Sequence, residues 1–309
     1  MDSPRKGARG ARAGAVPYLF LAPAMALFAL FVAVPIGYTV YLSLRRVRFS
    51  GLGLGRGSRT EIFVGLDNYE AALRDPEFWA GWLRVLGYSI LVLTLMLGLA
   101  LAFALLLDSA KVRLARFSRI AIFLPYAVPG VVATLLWGFL YLPSLSPIHE
   151  TLELLGIRAI DLLAPGTVVY SMANVAIWGG VGFNMLVLYT QLRAIPREFY
   201  ESARLDGAGE LAIALRVKVP MIAPAIVLTT IFSIIATIQV FTEPVTLRPI
   251  TNALSSTWSP LMRVYRDAFV TGDLYSAAAT SIIIALISLG PSLGFLRIVR
   301  RRAFGEGQE

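Results

Sequence analysis

The 309-residue chain is 57% hydrophobic and only 15% charged, with a mean hydropathy of +0.71, far from the roughly one-quarter charged residues of soluble domains. Its 28 Lys and Arg outnumber 19 Asp and Glu, but in so apolar a chain a basic surplus records loop orientation and speaks against no membrane role; no nucleic-acid partner is expected. With no cysteine and a single histidine, His149, disulfide staples are excluded, and neither a thiolate nor a multi-histidine metal site can be built.

A bilayer core about 30 Å thick demands roughly 20 apolar residues per helix. Six stretches free of Asp, Glu, Lys and Arg meet that demand, at 16–44, 85–107, 120–148, 162–192, 219–242 and 274–296. They predict an all-α integral membrane fold with spans at about 16–44, 85–107, 120–142, 168–192, 220–242 and 274–296. Around them lie an N-terminal tail (1–15), a loop at 193–220 and a basic tail (298–309). The first stretch follows Arg5, Lys6, Arg9 and Arg12 and so imitates a signal peptide. It exceeds an apolar signal segment of about 7–15 residues, and it reads as a retained helix.

Lys and Arg collect on the cytoplasmic side. Counted by alternate loops, 17 fall with the two tails and the loops near 111–119 and 193–218, and 11 fall on the opposite side. Both termini are therefore expected in the cytoplasm. Arg45, Arg46 and Arg48 run against the rule, just past the first span on the outer side. Pro35, Pro125, Pro129, Gly130, Gly179, Gly180, Gly182, Pro224 and Pro291 interrupt the spans. Broken helices survive in lipid where neighbours or a wet cavity satisfy the freed backbone, so the breaks suggest either an internal pathway or ordinary close packing through small residues.

The loop after the fourth span carries the most information. Pro196 suits the opening of a helix, and Gly207 suits its end because it tolerates positive φ. A second, apolar-rich helix is predicted from Leu211 to Val219, where Pro220 marks entry to the fifth span. Glu201-Ser202-Ala203, then Gly207 after three residues, then Val217-Lys218-Val219-Pro220 after nine more, match at every offset a signature of the form E-A-A, three residues, G, nine residues, I-x-L-P. In these residues the chain resembles the permease subunits of binding-protein-dependent ABC importers. Further stretches resemble the carbohydrate branch of that family, the maltose and glycerol-phosphate type. They are Gly65-Leu66-Asp67-Asn68-Tyr69, Asp75-Pro76-Glu77-Phe78-Trp79, Leu124-Pro125 with Pro129, and Gly182-Phe183-Asn184-Met185-Leu186. The outer loop resembles the first permease of a two-permease set. A departure lies at Glu243-Pro244-Val245-Thr246-Leu247-Arg248-Pro249, where many members carry T-G-G-G-P.

The resemblance implies a type I ABC importer transmembrane domain that works with a second permease subunit, two cytoplasmic ATPase subunits and an extracytoplasmic solute-binding protein. A phosphate-cradling loop needs a lysine directly after glycine, and Lys6, Lys111 and Lys218 follow Arg5, Ala110 and Val217. ATP and Mg are accordingly expected on the ATPase, with no cofactor on this chain and no catalysis of its own. Glu201, Ser202, Ala203, Asp206, Gly207, Ala208 and Pro220 are the residues expected to couple to the ATPase, with Phe199, Ala203, Leu211 and Leu215 as apolar docking positions. Gly180, Phe183, Asn184, Ser233 and Thr237 gain from their resemblance in position to sugar-contacting places in the family and are expected along the substrate pathway. A polyamine or other small polar cargo would share the same loop. An ion-coupled secondary transporter would place Asp or Glu within its spans, where this chain has none.

Overall fold

Asp75 opens the helix around which the molecule is organised. Its side chain accepts from the Glu77 N–H at 2.8 Å, Pro76 occupies the first helical position, and both devices suit a helix start. The helix runs Pro76–Asp108 for 33 residues, about 50 Å at about 1.5 Å per residue, so it begins well before the apolar stretch that composition marks from 85. Glu77 and Arg84, paired at 2.6 Å, ride on its first turns.

The computed structural model describes residues 16–49, 59–109, 114–156 and 160–304. The basic tail 1–15, Lys111, Arg113, Arg158 and the chain from 305 lie outside the described residues. In chain order the helices are α1 (Val16–Phe28), α2 (Val34–Ser43), α3 (Asp67–Arg74), α4 (Pro76–Asp108), α5 (Ala115–Phe123), α6 (Gly130–Tyr141), α7 (Pro147–Leu154) and α8 (Val168–Ala194). They continue with α9 (Glu198–Leu205), α10 (Glu210–Ile213), α11 (Val219–Met221), α12 (Ala223–Ile238), α13 (Thr242–Leu247), α14 (Pro260–Tyr265) and α15 (Leu274–Phe304).

Among the described residues four helical stretches are long and apolar enough to cross a membrane: Tyr18–Ser43, Pro76–Asp108, Val168–Ala194 and Ala223–Ile250. A fifth is a bent pair, in which the helical stretch Ala115–Ala127 meets α6 at 97°. Pro125 and Pro129 explain the bend, since each lacks an N–H and Pro129 also holds Val128 extended. The stretch 120–142 is therefore a broken element and not the straight helix that its composition suggests. At the chain's end the apolar part is shorter, Leu274–Gly290, but α15 continues as helix to Phe304, through the start of what the sequence marks as a tail at 298.

Apolar side chains of α4 and α8 meet at helical spacing. Val85, Tyr88, Val92 and Met96 pack with Val168, Met172 and Val181. Toward the other end Ala100, Ala104 and Leu107 pack with Met185, Leu188 and Leu192. Small residues on α4 let the two axes approach. By contrast the most apolar part of Tyr18–Ser43 has none of its residues buried within the chain; α2 lies along α15. The three arginines that run against the charge rule belong to a folded hairpin, β1 (Arg45–Phe49) paired antiparallel with β2 (Arg59–Phe63). Arg46 donates to Asn68 Oδ1 at 2.9 and 3.2 Å, and Arg45 sits 3.8 Å from Glu61 and over the Tyr41 ring.

Candidate functional site

A cavity of about 400 Å³ opens between α4, α8, α12 and the segment that follows α12, within the usual range of about 300–1,000 Å³ for ligand pockets. Gly180, Phe183, Asn184, Ser233 and Thr237 all line it. The α8 residues fall on one face because they lie three and four apart, and Ser233 and Thr237 lie one turn apart on α12. Asn184 Nδ2 donates to the Gly180 carbonyl at 3.0 Å, and Ser233 Oγ donates to Asn184 Oδ1 at 3.4 Å. Thr237 Oγ1 donates back to the Ser233 carbonyl at 2.9 Å. The polar set thus holds α8 against α12 while facing a space.

The cavity also has an aromatic wall. The Tyr126 ring stacks on Phe183 with centroids 4.9 Å apart and planes 20° apart. Gly182 makes this possible: a Cβ there would collide with the Ile122 carbonyl and the Phe123 backbone, so only glycine lets α8 nest against the broken stretch that carries Tyr126. Gly180 faces Met96 Sδ, so a side chain there would have to push the flexible methionine aside. Tyr126 escaped the sequence reading because its place in a kink between two prolines gave no helical face to assign it to. Glu243 escaped for a different reason. It follows directly after the apolar stretch that ends at 242, but α12 stops at Ile238 and the chain turns back through α13, carrying Glu243 into the cavity lining with Tyr88 and Gln239. Among the described residues Glu243 makes no ion pair.

Other polar groups of the spans serve packing. Asn174 Nδ2 donates to Tyr141 Oη at 2.8 Å, and Tyr141 Oη donates to the Ser171 carbonyl at 3.2 Å. Trp137 stacks on Tyr141 and meets Trp178 edge-on. None of these lines the cavity.

The second candidate region is the 193–220 loop. After α9, Gly207 takes φ +82°; its N–H donates to the Arg204 carbonyl at 3.0 Å, and the Ala208 N–H donates to the Ala203 carbonyl at 3.0 Å. Those two bonds are the Schellman pattern that ends a helix through a left-handed glycine. Arg204 and Glu210 pair across the corner at 3.0 Å. The second arm runs through α10, a π-helical turn at Ala214–Lys218 and α11, a less regular element than the single helix expected. Glu201, Ser202, Asp206 and Pro220 are exposed, and Ala203 and Ala208 are half-buried. Leu205, Leu211, Leu215 and Phe199 are 89%, 73%, 56% and 48% exposed, a concentration of uncovered apolar side chains beside charged ones. The arms are fastened to the bundle: Lys218 Nζ lies 2.6 Å from Asp108 Oδ2 and 4.8 Å from the centroid of the Tyr200 ring. Burial, and then the Asp108 carboxylate, push the Tyr200 phenol upward from its ordinary range.

The family model described as "Binding-protein-dependent transport system inner membrane component" matches residues 95–304. The chain belongs to this family. The permease is 28% identical over 295 residues to the sn-glycerol-3-phosphate transport system permease protein UgpA of Pectobacterium atrosepticum, covering 94% of this chain and 96% of the relative. It is 29% identical over 276 residues to the protein of the same name from Escherichia coli O157:H7, covering 88% and 90%. In structure it is similar to a chain of a bacterial ABC transporter involved in the import of the acidic polysaccharide alginate, with a TM-score of 0.79, 20% identity, and 93% and 95% of the two chains covered. That transporter has also been solved in complex with an alginate pentasaccharide-bound periplasmic protein. The permease is thus a multi-pass inner-membrane component of an ABC importer, and its family is a non-catalytic one.

Proposed function

We propose that this permease forms half of the translocation pathway of a sugar importer, crossing the membrane six times with both termini in the cytoplasm. Its companions would be a second permease subunit, two ATPase subunits that hold ATP and Mg, and an extracytoplasmic solute-binding protein. The 196–220 loop is the docking element for an ATPase: it is a shaped corner with uncovered apolar positions, as an amphipathic helix offers to a groove. Glu201, Ser202, Ala203, Asp206, Gly207, Ala208 and Pro220 act there by holding and presenting that corner.

The observation that carries the sugar assignment is the cavity at Gly180, Phe183, Asn184, Ser233 and Thr237. A stacked aromatic wall opposite hydroxyl and amide groups suits the apolar face and the hydroxyl rim of a sugar ring. The named relatives move glycerol-3-phosphate, and the structurally similar transporter moves alginate; both cargoes are polyhydroxylated. Glu243 supports a second reading, a cationic cargo such as a polyamine, for which it would be the counter-charge.

Uptake decides between them. In cells lacking this chain, accumulation of at least one of a panel of radiolabelled mono- and disaccharides should fall to background and return with the gene, while putrescine and spermidine uptake stays unchanged. Loss of polyamine uptake with every sugar unaffected would overturn the sugar assignment.

A further inference from the structure

Lys218 closes the π-helical turn of the loop's second arm, and Asp108 is the last residue of α4. They are 110 positions apart in sequence, yet Nζ and Oδ2 meet at 2.6 Å with side chains only 10% and 5% exposed. The same ammonium faces the Tyr200 ring of α9 at 4.8 Å. One cation therefore holds both arms of the loop against the end of α4.

Each member of the pair is poorly placed without the other. A carboxylate at a helix C-terminus sits in the negative end of the helix field, and a buried ammonium needs a partner to offset its lost hydration. Their geometry gives the contact a direction as well as strength, which an apolar contact between the same elements would lack.

The loop has three routes into the cavity. One runs back along the chain into α8, which ends at Ala194 and carries Gly180, Phe183 and Asn184. A second runs forward through α11 into α12, which carries Ser233 and Thr237; it is interrupted at Ile222, where the backbone leaves helical values (φ −94°, ψ 7°), and is flanked by Pro220 and Pro224. The third leads to α4, whose Tyr88, Val92 and Met96 form the facing wall of the cavity. From Asp108 to Met96 it is unbroken helix, about 18 Å at about 1.5 Å per residue. The chain does not connect the loop to α4 directly, so side chains must.

We propose that the Lys218–Asp108 pair is the link by which displacement of the loop reaches α4 and so moves the second wall of the cavity, with Lys218 acting as a positioning residue. The inference rests on the reading of the loop as the ATPase docking element. Without the pair, nucleotide-driven motion would move the α8 and α12 walls directly and reach α4 only through its apolar packing on α8.

The absence of cysteine lets spin labels be placed cleanly. In the transporter purified whole through a tag on this chain, a label at the exposed Arg216 reports the loop, a label at the exposed Leu86 reports α4, and a second label at Leu135 on α6 is the common reference. The probe is the Mg complex of a non-hydrolysable ATP analogue. In the otherwise unsubstituted chain the analogue should change both distances. In Lys218→Met and in Asp108→Asn the Arg216 change should persist while the Leu86 change falls by at least half. The exchanged pair, Lys218→Asp with Asp108→Lys, and the conservative Lys218→Arg should restore it, which a loss of folding or of packing volume would not allow. An undiminished Leu86 change in both single variants overturns the link, as does its failure to return in both restoring variants. If the analogue leaves Arg216 unmoved in the chain with Lys218 and Asp108 intact, the docking reading itself fails and takes the link with it.

Discussion

The two ends of α4 are both tied by acidic residues, but the ties differ in kind. At its start Asp75 is in the favoured place for an anion: it caps the helix through the Glu77 N–H and stands 2.6 Å from Arg263 of α14, where helix field, hydrogen bond and counter-ion all act together. Arg263 and Arg266 also flank Asp267 at 3.6 and 2.6 Å, so the charges form a shared cluster. At its other end Asp108 opposes the helix field, and among the described residues its one ion pair is with Lys218. A redundant contact anchors; a contact with a single partner can transmit, because the position of one member is set by the other.

The sharpest way to break this comparison is to remove the cation that pairs with Asp108. Lys218→Met leaves a buried carboxylate unpaired at a helix C-terminus and should cost about 3–5 kcal/mol of stability, read as a lowered thermal midpoint of the detergent-solubilised chain. If the loss is no larger than that of a surface ion pair, about 0–1 kcal/mol, the inner tie is not what its burial suggests.

Gly207 probes the inner end more gently. At φ +82° with no atom within 4 Å of a Cβ, a substitution meets strain but no collision. Gly207→Val should cost about 1–2 kcal/mol locally and reduce the ATPase that co-purifies with the tagged chain. Gly207→Asn, which tolerates left-handed backbone better, should retain more of it. Equal recovery in both variants would show that this corner does not shape the docking surface.

The smallest effect is expected at the outer end. Burial alone would raise the Asp75 carboxyl, but the Glu77 N–H and the Arg263 guanidinium outweigh it and hold the group below its ordinary value of 3.8. A carboxylate depressed on folding stabilises at every pH above its unfolded value and loses that contribution as pH falls through the lower folded value. Asn retains the cap, so Asp75→Asn isolates the charge. The midpoints of the parent chain and the variant should differ by a constant amount between pH 8 and 5 and converge below about pH 4. Convergence already near pH 6 would mean that the outer charge is not held by its cluster.

What the sequence discloses follows the same division. The helices are legible because a bilayer imposes length and apolarity, and Gly207 is legible because a left-handed corner demands a residue without a Cβ. The cavity residues on α8 and α12 are legible through their resemblance in position to sugar-contacting places in the family, and two regular helices then bring them to one space. Breaks are not. The 97° bend at Pro125–Pro129 and the turn after Ile238 bring Tyr126 and Glu243 to the cavity through backbone geometry, which apolarity does not encode. Long-range pairs are hidden as well. Nothing about Asp108 or Lys218 in isolation tells that residues 110 positions apart meet, since both read as ordinary charges at the edge of a span.

The packing of α2 along α15 has a consequence for how the chain is made. The two helices stand at opposite ends of the sequence, so during synthesis the first waits in the bilayer while every other helix emerges. Its most apolar window has no side chain buried within the chain, so lipid is the company of that window in the interval; only at its end does Ser43 find an earlier protein neighbour, the Tyr69 hydroxyl at 2.6 Å. The contact between α2 and α15 forms only after α15 has been made, and a chain cut short before 274 would lack the helix that α2 lies along.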